Sequence, residues 1–95
     1  MFPKLTEVRP LPDYTISLTY NDGTKGNISL KELSNTEVFS AWKRGIDFNK
    51  VFISHSNIIA WNDELEIDAE SLYLELKGIS YEQWKEANKQ HASAK

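Results

Sequence analysis

The sequence predicts one small α+β domain: an antiparallel sheet of about five strands, in the order βββ-α-ββ-α-α, with its helices packed on one side. Three observations lead there. Ile16, Leu18 and Tyr20 alternate with Ser17 and Thr19 and run into Asn21-Asp22-Gly23, a strand followed by a tight turn. Val51–His55 and Ile58–Trp61 are two β-branched and aromatic runs, separated by Ser56-Asn57. Beyond Asp68 the period changes, and Ala69, Leu72, Tyr73 and Leu76 fall on one helical stripe.

Taken in order, Lys4–Arg9 reads as the first strand, stopped at Pro10-Leu11-Pro12-Asp13 because proline has no amide to donate. The second strand ends at the Asn-Asp-Gly turn. Thr24–Leu30 then returns antiparallel to it, with Gly26 expected to weaken or bulge the third strand. Ser34 with Glu37 fits a capping box, Val38, Phe39 and Trp42 give a short stripe, and Gly45 suits the end, so a helix is expected over 35–44. Strands four and five follow, apolar on both faces. Asp68 caps the next helix and Gly78 ends it. Ser80 and Gln83 start a further helix over 80–90, whose stripe of Tyr81, Trp84 and Ala87 is thin. Residues 1–3 and 91–95 are expected to fray, and 1–95 to form a single domain.

Composition narrows the function classes. The 95 residues suffice for one modest core. The absence of cysteine removes disulfides and thiolate chemistry and fits a reducing cytoplasm. No window approaches a membrane span, and no leader is visible, so no membrane association is expected. A net charge of −3 leaves no basic surplus for phosphate contacts, so nucleic acid is not the expected partner. Acidity is local instead: Asp63, Glu64, Glu66, Asp68, Glu70 and Glu75 follow one another with no Lys or Arg among them. Such a run is a solvated rim or a docking surface for a basic protein.

Catalytic parts are sparse. Ser54 and His55 are neighbours on an expected strand, where adjacent side chains point to opposite faces and are poorly placed to meet. Glu66 pairs with Asp68 or Glu70, but nothing apolar is arranged to drive one carboxyl away from the other. His91 sits in a polar tail far from His55, so neither a metal nor any other cofactor is expected. The tryptophans read as core anchors. Trp84 is the exception, since its helix has too little apolar surface to explain it; it either folds back or marks a partner surface.

Val8-Arg9-Pro10-Leu11-Pro12-Asp13-Tyr14, Tyr20-Asn21-Asp22-Gly23, Val38-Phe39, Phe48, Ile59-Ala60-Trp61 and Asp68-Ala69-Glu70-Ser71-Leu72-Tyr73 occur in an order that resembles the bacterial family known as domain of unknown function 2442. The resemblance covers about residues 4 to 76. It implies a small α+β fold with an antiparallel sheet and helices on one side, and no established activity. It also implies that some members are encoded beside another small protein, as in toxin–antitoxin pairs, while others carry an added helix-turn-helix for which these residues leave no room. Many relatives have a glycine turn after the tryptophan, where this sequence has Asn62-Asp63-Glu64-Leu65.

The expected function is therefore a non-enzymatic protein-interaction module, the acidic, antitoxin-like member of a two-protein pair whose basic partner is encoded nearby. Trp61, Asp63, Glu64, Glu66, Asp68, Glu70 and Trp84 are the expected partner-binding residues. The alternative is a small-ligand binding domain or enzyme with a pocket near His55 and Trp61. Self-association through a sheet edge or Trp84 stays open.

Overall fold

The computed structural model describes the backbone of residues 2–93 and the side chains of residues 2–87; the side chain of His91, and the metal reading attached to it, lie outside the described residues. Strands β1 (Leu5–Leu11), β2 (Thr15–Tyr20) and β3 (Lys25–Ser29) form one antiparallel sheet in that order. Strands β4 (Phe52–Ile53), β5 (Ile58–Ala60) and β6 (Glu66–Asp68) form another. Helices α1 (Ala69–Lys77) and α2 (Tyr81–Ser93) follow. The α+β class holds, but one five-stranded sheet in the expected order does not: among the described residues there are two sheets of three strands, with no α-helix between them.

Local chemistry explains the first sheet. The β2–β3 turn closes with Gly23 N donating to Tyr20 O (3.1 Å) and Tyr20 N to Thr24 O (2.8 Å), and Gly23 holds φ at 91°. Ile16 pairs with Ile28 on one side and with Pro10 on the other. Alternation of the ladder directs the peptide groups of Ile16 to Ile28, so Pro10 faces a position where no amide is needed. Hence β1 runs through Pro10 to Leu11 rather than stopping at Arg9. Gly26 does not bulge β3: it pairs with Leu18, and a Cβ there would lie 2.8 Å from Leu76 Cδ2. Its bare backbone lets α1 settle onto the sheet.

The expected helix over 35–44 is a series of 3₁₀ turns, Leu33–Asn35, Phe39–Lys43 and, after Gly45, Phe48–Lys50. Ser34 is buried and donates back to Lys31 O rather than capping, while Thr36 and Ser40 hydroxyls donate to Leu33 O and Glu37 O. Hydroxyls that occupy backbone carbonyls compete with helix continuation. Val38 consequently points out, 57% exposed.

These turns carry rings inward. Trp42 lies 4.9 Å from Phe48 and 4.7 Å from Trp61, with Phe39 at 5.1 Å and Tyr14 at 6.0 Å. Trp61 Nε1 donates to Phe48 O at 2.9 Å, whereas Trp42 Nε1 has no acceptor among the described residues. Tyr14 adopts a left-handed backbone (φ 55°) beside Asp13 (φ 63°), a cost of about 1–2 kcal/mol for a residue of this kind. Its ring packing against Phe48 (5.4 Å) offsets that.

The two sheets are joined by a side chain rather than a ladder. Strand β1 lies against β4 without pairing to it. At their meeting point stands Asn57, buried and left-handed (φ 56°). Its Oδ1 accepts from Leu5 N (2.8 Å), and its Nδ2 donates to Pro3 O (3.0 Å) and Glu70 Oε2 (3.2 Å). Its own carbonyl accepts from Ala69 N (2.9 Å). This one residue ties the chain's first strand, the β4–β5 turn and the start of α1.

Helix α1 is capped as expected, by Asp68 Oδ1 accepting from Glu70 N (3.0 Å) and by a left-handed Gly78. Two tyrosines then fasten it to the first hairpin. Tyr20 donates to Ala69 O (2.6 Å) and Tyr73 to Asp22 Oδ2 (2.8 Å). Burial, with Asp68 nearby, pushes the Tyr20 phenol up, and burial plus the bond to Asp22 pushes up that of Tyr73. At Asp22 burial acts the other way, but hydrogen bonds from Thr24 N and Tyr73 outweigh it and hold the carboxyl below its usual range.

Two outcomes follow. Asn57→Ala should lower unfolding free energy by about 3 kcal/mol, from stranded buried partners and an unfavourable φ, and Asn57→Gly by about 1 kcal/mol less because glycine accepts that φ. Urea titration of both variants checks this. Because the Asp22 carboxyl is depressed in the folded state, its stabilisation is full above the unfolded pKa and is lost as pH falls through the folded one. Between about pH 5 and about pH 2 the Asp22→Asn variant should therefore lose less stability than the parent, read from denaturation midpoints.

Candidate interaction surface

Strand β6 lies inside the acidic run, where no strand was expected. Its pattern is exposed Glu66, half-buried Ile67 and exposed Asp68, with Leu65 buried just before. Leu65 and Ile67 give the period of two, which the charges beside them mask. Pairing of Glu66 with Ala60 and Asp68 with Ile58 sets both carboxylates outward. Before β6, Asn62 Oδ1 accepts from Glu64 N (2.8 Å) and Leu65 N (2.9 Å), so an asparagine side chain makes this turn.

The expected partner-binding residues are not one face. Asp63 and Glu64 stand exposed on the Asn62 turn, and Glu64 borders a hollow of about 560 Å³ with Val38, Arg44 and Ile46. Asp68 and Glu70 border another, of about 270 Å³, with Phe2, Ser71, Leu74 and Tyr81. Trp61 belongs to neither: at 5% exposure, wedged against Trp42 and Phe48, it is a core anchor and offers nothing to a partner. Asp68 and Glu70 are not idle charges either, since one caps α1 and the other accepts from Asn57.

Trp84 folds back, half-buried, onto the start of the chain. Its ring stacks on Phe2 at 3.9 Å and 5°, with Tyr81 6.2 Å from both. The capping box expected at the head of α2 is present: Gln83 N donates to Ser80 Oγ (3.1 Å) and Ser80 N to Gln83 Oε1 (2.9 Å). It orients the first turn so that Tyr81 and Trp84 share a side. Phe2, from the stretch assigned to a fraying terminus, also meets Tyr73 edge-on at 6.1 Å. Tyr81 remains 52% exposed and lines the same hollow as Asp68 and Glu70. Sequence reasoning missed Phe2, Ser71 and Tyr81; an apolar residue near the start and a Tyr–Trp pair three apart were the available signals.

Ser54 Oγ lies 3.1 Å from His55 Nδ1, so the two do meet, contrary to the strand argument. The reason is that β4 ends at Ile53, and beyond it the chain turns, with Ile58 N donating to His55 O (2.9 Å). Both residues are exposed, and no carboxylate hydrogen-bonds to His55 among the described residues. Neither His55 nor Trp61 borders either of these two hollows. Among the described residues no three His, Asp or Glu side chains converge to hold a metal ion, and no helix is long and apolar enough to cross a membrane.

A protein-family model described as protein of unknown function (DUF2442) matches residues 5–78. Comparisons with curated proteins and with solved structures return no match. The matched stretch leaves out Phe2 and α2, so the aromatic side of the 270 Å³ hollow comes from outside it and the acidic side from within. Since that stretch begins at the first residue of β1 and ends at the glycine closing α1, taking in both sheets, the chain belongs to the DUF2442 family.

Proposed function

We propose that this protein is a non-enzymatic, cytoplasmic interaction module, the acidic, antitoxin-like member of a two-protein pair, and that it receives a basic side chain of its partner in the hollow between α1 and Phe2. The observation that carries this reading is that two acidic residues, Asp68 and Glu70, and the half-exposed Tyr81 line one hollow. A lysine or arginine entering there meets negative charge from one side and an aromatic ring from the other. Asp63, Glu64 and Glu66 stand outside this hollow and act at longer range, raising the rate of encounter with a basic surface rather than fixing the contact. The stack of Phe2 on Trp84 supports the ring wall from behind.

The test uses the product of the neighbouring gene as the partner. Ser71 is exposed on α1 and borders the hollow, so Ser71→Lys adds a positive charge there without removing either carboxylate. It should weaken the complex at least about tenfold by calorimetry, and Tyr81→Ala about three- to tenfold, with both variants folded by circular dichroism at the temperature of the titration. Ser71→Glu should not weaken it. Absence of a complex, or an affinity indifferent to Ser71→Lys and Tyr81→Ala, overturns the proposal.

A further inference from the structure

Strand β3 ends its sheet, so one side of its backbone has no neighbouring strand. Which groups lie open follows from the hydrogen bonds at its two ends. Tyr20 N donates to Thr24 O (2.8 Å) and Leu30 N to Tyr14 O (2.6 Å), so the even-numbered residues between them, Gly26 and Ile28, bond across to β2. The N–H and C=O groups of Lys25, Asn27 and Ser29 therefore point away from the sheet, and none has a backbone partner among the described residues.

Along this edge lies a hollow of about 480 Å³, with Ile28, Leu30, Leu33 and Leu72 as apolar lining and Glu32 and Glu75 at its rim. Both glutamates are exposed, and neither side chain has an ion-pair or hydrogen-bond partner among the described residues. On the opposite face of the strand stands the exposed ammonium of Lys25. The edge thus has a sign on each face, negative within and positive without.

We infer that β3 takes up an extended segment of another protein as a fourth strand of this sheet. That segment is apolar or basic at the alternate positions turned toward the hollow, and polar or acidic at those turned outward. Backbone groups of Lys25, Asn27 and Ser29 supply the ladder, and the hollow and its two glutamates supply the selection. A second copy of this chain is the wrong occupant. Antiparallel pairing about Asn27 keeps like faces together, so Glu32 and Glu75 of each copy come to one side, and each hollow is met only by Gly26, opposite Ile28, and Thr24, opposite Leu30, neither of them large, apolar or basic. This surface is independent of the hollow at Tyr81, and either proposal can fail alone.

The probe is a capped heptapeptide alternating threonine with valine, with lysine at the central inward position; its control has glutamate there. Amide exchange followed by NMR on the full chain is the readout. At millimolar lysine probe, the amides of Lys25, Asn27 and Ser29 should slow at least threefold, while those of Gly26 and Ile28 stay as protected as before. The glutamate control should have no effect. Asn27→Pro removes one outward N–H without touching the bonds to β2 and should abolish protection at Lys25 and Ser29. Glu75→Lys, on the exposed side of α1, should reverse the preference between the two peptides. If the lysine probe leaves the outward amides unchanged, or the glutamate peptide protects them equally in the parent chain, the inference is wrong. Should Asn27→Pro impair folding, the outcome for Glu75→Lys decides.

Discussion

A buried asparagine whose carboxamide serves one stretch of backbone and a carboxylate, while its own carbonyl serves a second stretch, is the constraint on which this fold turns. Asn57 accepts from Leu5 N, donates to Pro3 O and Glu70 Oε2, and through its own carbonyl receives Ala69 N. Strand ladders hold each sheet together internally, but nothing of that kind passes between β1 and β4. A side chain has been used where a further pair of strands would otherwise be needed. The left-handed backbone at Asn57 is tolerated because asparagine is among the few residues that accept it. Replacing a ladder by one residue concentrates the dependence: the start of the chain, the β4–β5 turn and the head of α1 all answer to a single position.

Two further contacts repeat this logic at the other side of α1. Tyr20 and Tyr73 reach in opposite directions, one from sheet to helix and one from helix to turn, and their rings meet at 5.0 Å. The helix is thus held at its first residue and along its length before its apolar stripe contributes. Its position in turn places Asp68 and Glu70 beside Ser71 and Tyr81, and Glu75 beside the free edge of β3. Both surfaces on which partners are proposed are therefore set out by how one nine-residue helix is seated.

What could be read from the residues was whatever local chemistry decides. The Asn21-Asp22-Gly23 hairpin, the Asp68 and Gly78 caps and the Ser80–Gln83 box each involve groups a few positions apart, and each is present. Strand β6 was hidden because Glu66 and Asp68 draw attention to charge, while its evidence is only Leu65 and Ile67. The helix expected over 35–44 failed because its hydroxyls compete for the carbonyls a helix would need, a balance that spacing alone does not weigh. Trp61 read both as a core anchor and, from its neighbours in sequence, as a partner contact; rings from Trp42 and Phe48, distant in the chain, bury it in the core. Asn57 read only as a polar break, since its partners lie more than fifty positions away on one side.

The stack of Phe2 on Trp84 bears on how the chain is made. More than eighty positions separate Phe2 from the indole it rests on, so the ring emerges from the ribosome well before its partner does. Pro3 and Leu5 likewise wait for Asn57. The β1–β2–β3 meander can form early from short loops, but its leading end stays unfastened until α2 has emerged, and closing so long a loop is slow. During that interval an apolar ring and an unpaired strand end are open to whatever binds nascent chains.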